Sequence, residues 1–356
     1  NLIQLENQQP GTTDWLLTKI KKGSKPPLYA PDDEPYDRGW RRRKELEGYC
    51  SHTSIRAGET LKVHVSTEPA AGYKIDIYRM GYYGGKGARL MKSLGPFQGV
   101  VQPTPEDGVR SVKECKWSEG FSLQIPADWV SGVYLGKLSA LTSDAESYVI
   151  FIVRDDRKAD LMFQSSDMTW SSYNRWPQWR SLYDSGDDHW GASNGRPGYD
   201  VSFDRPYAMY WNGFPAGFEP LTLGSGEFLM IEHPLAFWLE KEGYEMEHGD
   251  RVVDLVGWEY HGPPLGDYAS MEVLSSGQVY GWNGEARGRN YATTIYTAPK
   301  GNLVFNAATC WWNMVLSSPP GFMSPPRRYF KEADARIQRI TKNVLNKMIA
   351  VAPAER

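Results

Sequence analysis

From Gly48 to Val153 the chain is a succession of short runs in which apolar and polar residues alternate, separated by turns carrying glycine or proline. Leu61, Val63 and Val65 form one run, Tyr73, Ile75 and Ile77 a second, and Phe121, Leu123 and Ile125 a third. Gly132–Leu138 and Tyr148–Val153 follow. A strand turns successive side chains to opposite faces, so period-two alternation marks strands with one buried face. With no helical stretch between them, these strands predict a β-sandwich. Ile125-Pro-Ala-Asp-Trp-Val-Ser-Gly-Val-Tyr134 leads through a turn into a late strand. Gly81–Gly87 is a glycine-rich loop. It lacks the strand–loop–helix context of a phosphate cradle and is read as a turn.

Ahead of this region, residues 1–46 read as an irregular arm whose basic run, Arg41 to Lys44, is solvated. The charged junction Arg154-Asp-Asp-Arg-Lys158 ends it, which places the domains at 47–156 and 157–356. In the second domain a short apolar strand, Leu161 to Phe163, runs into a polar and aromatic loop. A helix follows from about Glu227, with Phe228, Ile231, Leu235, Trp238 and Leu239 on one face and Gly243 as its C-cap. A β-rich run spans 255–305, and a helix from Asp334 to Met348 carries the stripe Ile337, Ile340, Val344, Leu345 and Met348. Strands mixed with flanking helices predict an α/β domain.

The 356 residues suit two domains, and the net charge of −3 provides no basic field for nucleic acid. No apolar run reaches the roughly 18–20 residues that span a bilayer. The aromatic load (14 Trp, 21 Tyr and 12 Phe), with 35 Gly and 24 Pro, fits a loop-rich β protein. Three cysteines are too few for a disulfide scaffold, although Cys50 and Cys115 fall in one domain and could pair. The chain opens at Asn1, so residues before it are expected to have been removed. The compartment stays open, with the cytoplasm slightly favoured.

In an open α/β sheet, ligands bind beyond the carboxyl ends of the strands. Tyr173 and Tyr183 follow the Leu161–Phe163 strand and fall where chemistry is expected, or else they pack a surface lid. Gly224-Ser-Gly226 is only a fragment of a nucleophile elbow. Cys310 follows a strand but has no histidine at a spacing that marks its base. The six histidines show no zinc spacing. Oxygen donors remain, and tyrosinate and carboxylate are hard ligands that suit Fe(III). Glu259, within Gly257-Trp-Glu-Tyr-His-Gly262, is enclosed by aromatics and glycines that raise a carboxyl pKa towards general acid/base use, or it bonds a loop.

An ordered set of segments resembles the large (beta) subunit of N,N-dimethylformamidase and its wider family. They include Glu47-Gly-Tyr49, Tyr78-Arg-Met-Gly-Tyr-Tyr-Gly-Gly85, Thr169-Trp-Ser-Ser-Tyr-Asn174, Ser181-Leu-Tyr-Asp184 and Val201-Ser-Phe-Asp-Arg-Pro206. Further on come Phe237–Tyr244, Leu255–Gly262 and Arg336–Val344. The resemblance implies an immunoglobulin-like β-sandwich followed by an amidotransferase-like α/β domain. It also implies a mononuclear iron, Fe(III), held by two tyrosines and a glutamate, that hydrolyses a small formamide. Tyr173 matches the first tyrosine and Tyr183 the second, while Glu259 falls at a second acidic position of that pocket. The family's Gly-His-x-Glu-Tyr motif, which brings the iron glutamate, has no counterpart after Gly243. Either a segment is missing near 245–250, or this member lacks the third ligand.

Two functions follow as expectations. The first is an iron-dependent hydrolase of the C–N bond of a small amide, with Tyr173 and Tyr183 on the metal. Glu259 would handle protons, Asn174 would donate to the developing oxyanion, and Trp170, Trp176, Trp258 and His261 would line the pocket. Its partners would be the amide substrate, further copies in a homo-oligomer and a small accessory subunit, with no nucleic acid and no membrane. The second is a non-catalytic relative without the metal site, holding a ligand such as carbohydrate on its aromatic clefts or serving assembly.

Overall fold

The computed structural model describes residues 1–19, 44–155, 157, 159, 161–174, 176–177, 181–182, 200–208, 223–244, 246–249, 270–280, 286–299, 301–309, 311–321 and 333–351. The runs at 61–65, 73–77, 121–125, 132–138 and 148–153 form strands as the sequence predicts, and three further strands join them. They are β1 (Glu47–Cys50), β2 (Ser54–Arg56), β3 (Thr60–Ser66), β4 (Gly72–Met80), β5 (Ala88–Gln98), β6 (Phe121–Gln124), β7 (Gly132–Ala140) and β8 (Glu146–Arg154). One sheet has the order β1-β3-β6, the other β2-β8-β7-β4-β5, and every pairing is antiparallel except β2 with β8. The two sheets face each other across a core that joins Leu61, Val63 and Val65 to Ile75, Ile77, Leu138, Val149 and Phe151.

The alternation fails in β7 and β8, where all but the last residue of β8 is buried. The reason is a second core on the outer face of the larger sheet. Val133, Leu135, Tyr148, Ile150 and Ile152 pack there against Trp15, Phe163, Trp170, Phe228, Trp238 and Leu239. A sheet covered on both faces carries mostly apolar residues, and the buried charges here, Lys137 and Glu146, are paired at 3.3 Å.

The arm also departs from its expected irregularity. Residues Leu2–Glu6 form helix α1, closed by an Asn1–Gln4 capping box. Trp15 is only 1% exposed. Its carbonyl accepts from Tyr148 Oη at 2.6 Å, and Lys137 Nζ donates to the Leu16 carbonyl at 2.6 Å. The Glu146 carboxylate accepts the Thr18 and Lys19 amides at 2.8 and 3.0 Å. Residues 1–19 are thus a strap across the outer face of the sheet. Lys44 is exposed, and the rest of the basic run lies outside the described residues.

Beyond the junction, β9 (Leu161–Gln164) pairs in parallel with β10 (Met246–Gly249). Between them in sequence lie α2 (Asp167–Tyr173), a π-helical turn (Phe228–Glu232) and α3 (His233–Glu242). The expected loop after β9 is therefore a helix, and Tyr173 stands at its last residue. Gly243 closes α3 in the left-handed conformation (φ 82°), as the sequence predicts, because a C-cap at positive φ favours a residue without a Cβ. Strands β11 (Met271–Tyr280), β12 (Ala286–Thr297) and β13 (Leu303–Asn306) make an antiparallel sheet, followed by α4 (Trp311–Met314) and α5 (Ala335–Val351). On α5, Ile337, Thr341, Val344, Leu345 and Met348 lie on the inner face, whereas Ile340 is 42% exposed and off the expected stripe. Cys50 and Cys115 are free thiols. They sit in different surroundings: Cys115 packs with Tyr49, Trp117 and Trp176, while Cys50 lies against the sandwich core.

Candidate functional site

The carboxyl end of β9 opens directly into α2. The local sequence, rich in Ser and Thr, has little helix preference of its own. Burial of one face supplies the missing stability: Trp170 is 3% exposed, Ser171 2% and Asn174 7%. The Trp170 indole N–H donates to Glu232 Oε1 at 3.0 Å, and the Ser166 amide donates to the same oxygen at 2.9 Å. α2 is thus moored to the start of α3.

The turn that follows α2 is sewn to the 200–208 segment. Asn174 Nδ2 donates to the Pro206 carbonyl at 2.9 Å, while its Oδ1 accepts the Ala208 and Trp176 amides at 2.9 and 3.2 Å. Arg205 Nη2 donates to the Ser171 carbonyl at 3.0 Å, Nη1 to Trp176 at 2.8 Å and Nε to Ser202 at 3.0 Å. Its guanidinium is 2% exposed and bonds backbone carbonyls, and burial pulls its pKa down to about 10. These bonds fix the backbone on both sides of Tyr173, whose side chain is half-buried. The Leu182 amide donates to the Ser172 carbonyl at 2.9 Å, so the residue before Tyr183 is bonded to the residue before Tyr173.

The two described tryptophans of the expected pocket enter separate clusters. Trp170 packs in the core beneath the larger sheet. Trp176 is 1% exposed beside Trp117 and donates its indole N–H to Glu47 Oε2 at 2.8 Å. Asn174 spends its carbonyl oxygen and one amide hydrogen on the backbone, which leaves one N–H for any ligand. Tyr183, Trp258, Glu259, His261 and Cys310 lie outside the described residues. Ser225, in the glycine-flanked fragment, is fully buried against the sheet. Among the described residues no group of three or more His, Cys, Asp or Glu side chains could hold a metal ion, and no helix is long and apolar enough to cross a membrane.

Sequence reasoning passed over Arg205, Glu227, Glu232 and His233. Glu227 and Glu232 are buried, and burial raises both carboxyls, Glu232 to about 7. His233 is 1% exposed among Trp15, Phe228 and Phe237, and burial holds its pKa down at about 3. A five-residue spacing of acids is no α-helical pair, so nothing local marked them. The one available signal was Arg205, within a stretch already matched to a family segment.

These features define a mixed, β-rich protein with several antiparallel sheets and a few helices, in which a strand–helix unit opens towards a half-buried tyrosine. Residues 74–248, from within β4 to within β10, match the family described as N,N-dimethylformamidase beta subunit-like, C-terminal. No curated protein matches the chain.

Proposed function

We propose that the chain is an amide hydrolase, or the hydrolase-type part of one, that cleaves the C–N bond of a small, formamide-like amide. The family match over 74–248 suggests the reaction class. The observation that carries the site is the Leu182–Ser172 hydrogen bond, which ties together the backbones leading into Tyr173 and Tyr183. Tyr173, as an oxygen donor at the end of a braced helix, suits a hard ion such as Fe(III). With Tyr183 and a glutamate from a segment missing near 245–250, it would hold one iron. When bound, the metal would supply Lewis-acid polarisation of a carbonyl or an activated water.

The chain's own residues would do the rest. Glu259 would take a proton from attacking water and return it to the departing amine. Arg205 and Asn174 hold the turn that aims Tyr173, and the free amide hydrogen of Asn174 would face the developing oxyanion. Trp170 and Trp176, each anchored in its own cluster, would brace the site from separate sides, with Trp258 and His261 completing an apolar pocket. The fold reading is an immunoglobulin-like sandwich at 47–156, after the 1–46 arm, and an amidotransferase-like α/β domain at 157–356. The Tyr134 hydroxyl, which donates back to the Val130 carbonyl at 2.7 Å, supports the sandwich part, since such tyrosine corners recur in immunoglobulin-like domains. A homo-oligomer with a small accessory subunit completes the proposal.

The test is iron content, visible absorption and amine release from formamides, for the purified protein and for Tyr173→Phe. The expected result is a phenolate–iron absorption band that Tyr173→Phe abolishes together with the iron, while the thermal melt stays unchanged. Full iron and an unchanged band in the variant would overturn the ligand assignment.

A further inference from the structure

The turn entering α3 is π-helical from Phe228 to Glu232, with the His233 amide on the Phe228 carbonyl. In an α-helix, residues five apart point about 140° away from each other, whereas an i→i+5 turn brings them towards one face. Glu227 precedes this turn and Glu232 ends it. Single π-turns inside helices recur at functional positions, because they re-aim side chains that a regular helix would separate.

The hydrogen bonds at the two carboxyls are unequal. Glu232 Oε1 accepts from the Ser166 amide and the Trp170 indole, and these donors favour a charge on Glu232. Its Oε2 is buried without a partner, and so is Glu227 Oε1. Two ionised carboxylates cannot share a buried site cheaply. One proton serves both carboxyls: a protonated Glu227 gains an O–H donor, and Glu232, whose other neighbouring donors include the Ser165 and Ser166 hydroxyls, can accept it at Oε2.

We propose that Glu227 and Glu232 hold a single proton between them as a carboxylic acid–carboxylate pair, which locks the start of α3 to α2. Burial raises both carboxyls, Glu232 to about 7, and the charge of Glu232 raises Glu227 further, so the two titrate as a coupled pair. The charged or titratable groups around it among the described residues are Asp167 on α2, Arg205 and Tyr207 in the 200–208 segment, Tyr148 on β8 and His233 on α3. Loss of the proton to solvent leaves two like charges against the Ser166 and Trp170 donors and loosens the junction beneath Tyr173. The pair stands apart from the amidase reading, because its test involves neither iron nor an amide.

The test is urea unfolding of the full chain from about pH 5 to about pH 8, compared with Glu227→Gln, whose amide donates to Glu232 without a titrating proton. Both carboxyls lie above their ordinary value of 4.5, so their contribution is fully present below it; the share of Glu232 is lost as pH rises through about 7, and that of Glu227 as pH rises through its own raised value. The expected result is a wild-type midpoint that falls relative to the variant as pH rises, with the variant the more stable at the alkaline end. A difference between the two that is the same at every pH would overturn the proposal. If Glu227→Gln does not fold, infrared spectroscopy of the wild type decides: a protonated carboxyl band near pH 6 that weakens as pH rises supports the pair, and no band near pH 6 sinks it. A midpoint raised by calcium or magnesium together with loss of the pH dependence would mark a cation site instead and overturn the shared proton.

Discussion

Arg79 Nη2 lies 2.8 Å from Glu240 Oε1, and the two side chains are 0% and 2% exposed. The pair joins β4 of the larger sheet to α3, and its remaining polar atoms apart from Arg79 Nε are bonded as well. Arg79 Nη1 donates to Tyr83 Oη at 2.9 Å, and Tyr83 Oη donates to Glu6 Oε1 at 2.7 Å. Asn7 Nδ2 donates to Glu240 Oε2 at 2.8 Å, and Arg89 pairs with Glu6 at 2.9 Å. One polar network therefore ties sheet, glycine-rich loop, N-terminal strap and helix together. Gly81 lies so close that a Cβ there would overlap the Glu240 carboxylate.

Removing one partner leaves the other charge buried and uncompensated. Glu240→Ala is expected to cost about 3–5 kcal/mol in denaturant unfolding, whereas Arg79→Met combined with Glu240→Leu should recover most of it. A single substitution costing under about 1 kcal/mol would mean that water reaches the pair.

Asn174→Ala removes three backbone bridges at once, to Pro206, Ala208 and Trp176. The expected loss is about 1–3 kcal/mol for the buried groups left unsatisfied. Hydrogen exchange should quicken at Trp176 and Ala208 while β3 and β7 stay protected, and uniform protection would argue against a local bridge.

His233 is buried neutral, with a folded pKa near 3 against an ordinary 6.5. A depressed folded pKa gives a contribution that is present above 6.5 and lost as pH falls towards 3, because the unfolded chain binds the proton first. The expected slope is about 1.4 kcal/mol per pH unit in that window. His233→Phe should flatten it in acid unfolding curves, and an unaltered slope would show that His233 is protonated in place. The slope from Glu227 and Glu232 runs in the opposite direction, so each contribution is read as a difference from its own variant.

Gly224 has φ 87°, and a Cβ there would overlap the Tyr148 carbonyl. Backbone strain and steric overlap act together, and Gly224→Ala is expected to cost about 2–5 kcal/mol. A thermal melt checks this, and no change in melting temperature would mean that the Leu223–Tyr148 backbone contact yields easily.

The positions of β3, β4 and β6 were legible because each carried its own alternation. Leu61, Val63 and Val65 needed no partner to declare a buried face, and the bond pattern of β3 followed. Helix α3 was legible through its stripe and its Gly243 cap. The helix α2 was not, because Trp170 and Asn174 are held by Glu232 and Pro206, residues far away in sequence. The strap was hidden for the same reason: Trp15 has no local pattern, only a distant pocket.

The sequence by itself determined where chain segments could be strands or capped helices, since backbone geometry and side-chain periodicity are local. It also carried the similarity by which residues 74–248 match a family model. Only the tertiary structure decided which faces were covered twice, that residues 1–19 cross the sheet, and that Arg205 and Asn174 brace the turn at Tyr173. Burial and the meeting of distant polar groups arise when the chain closes on itself, so no short window of sequence contains them.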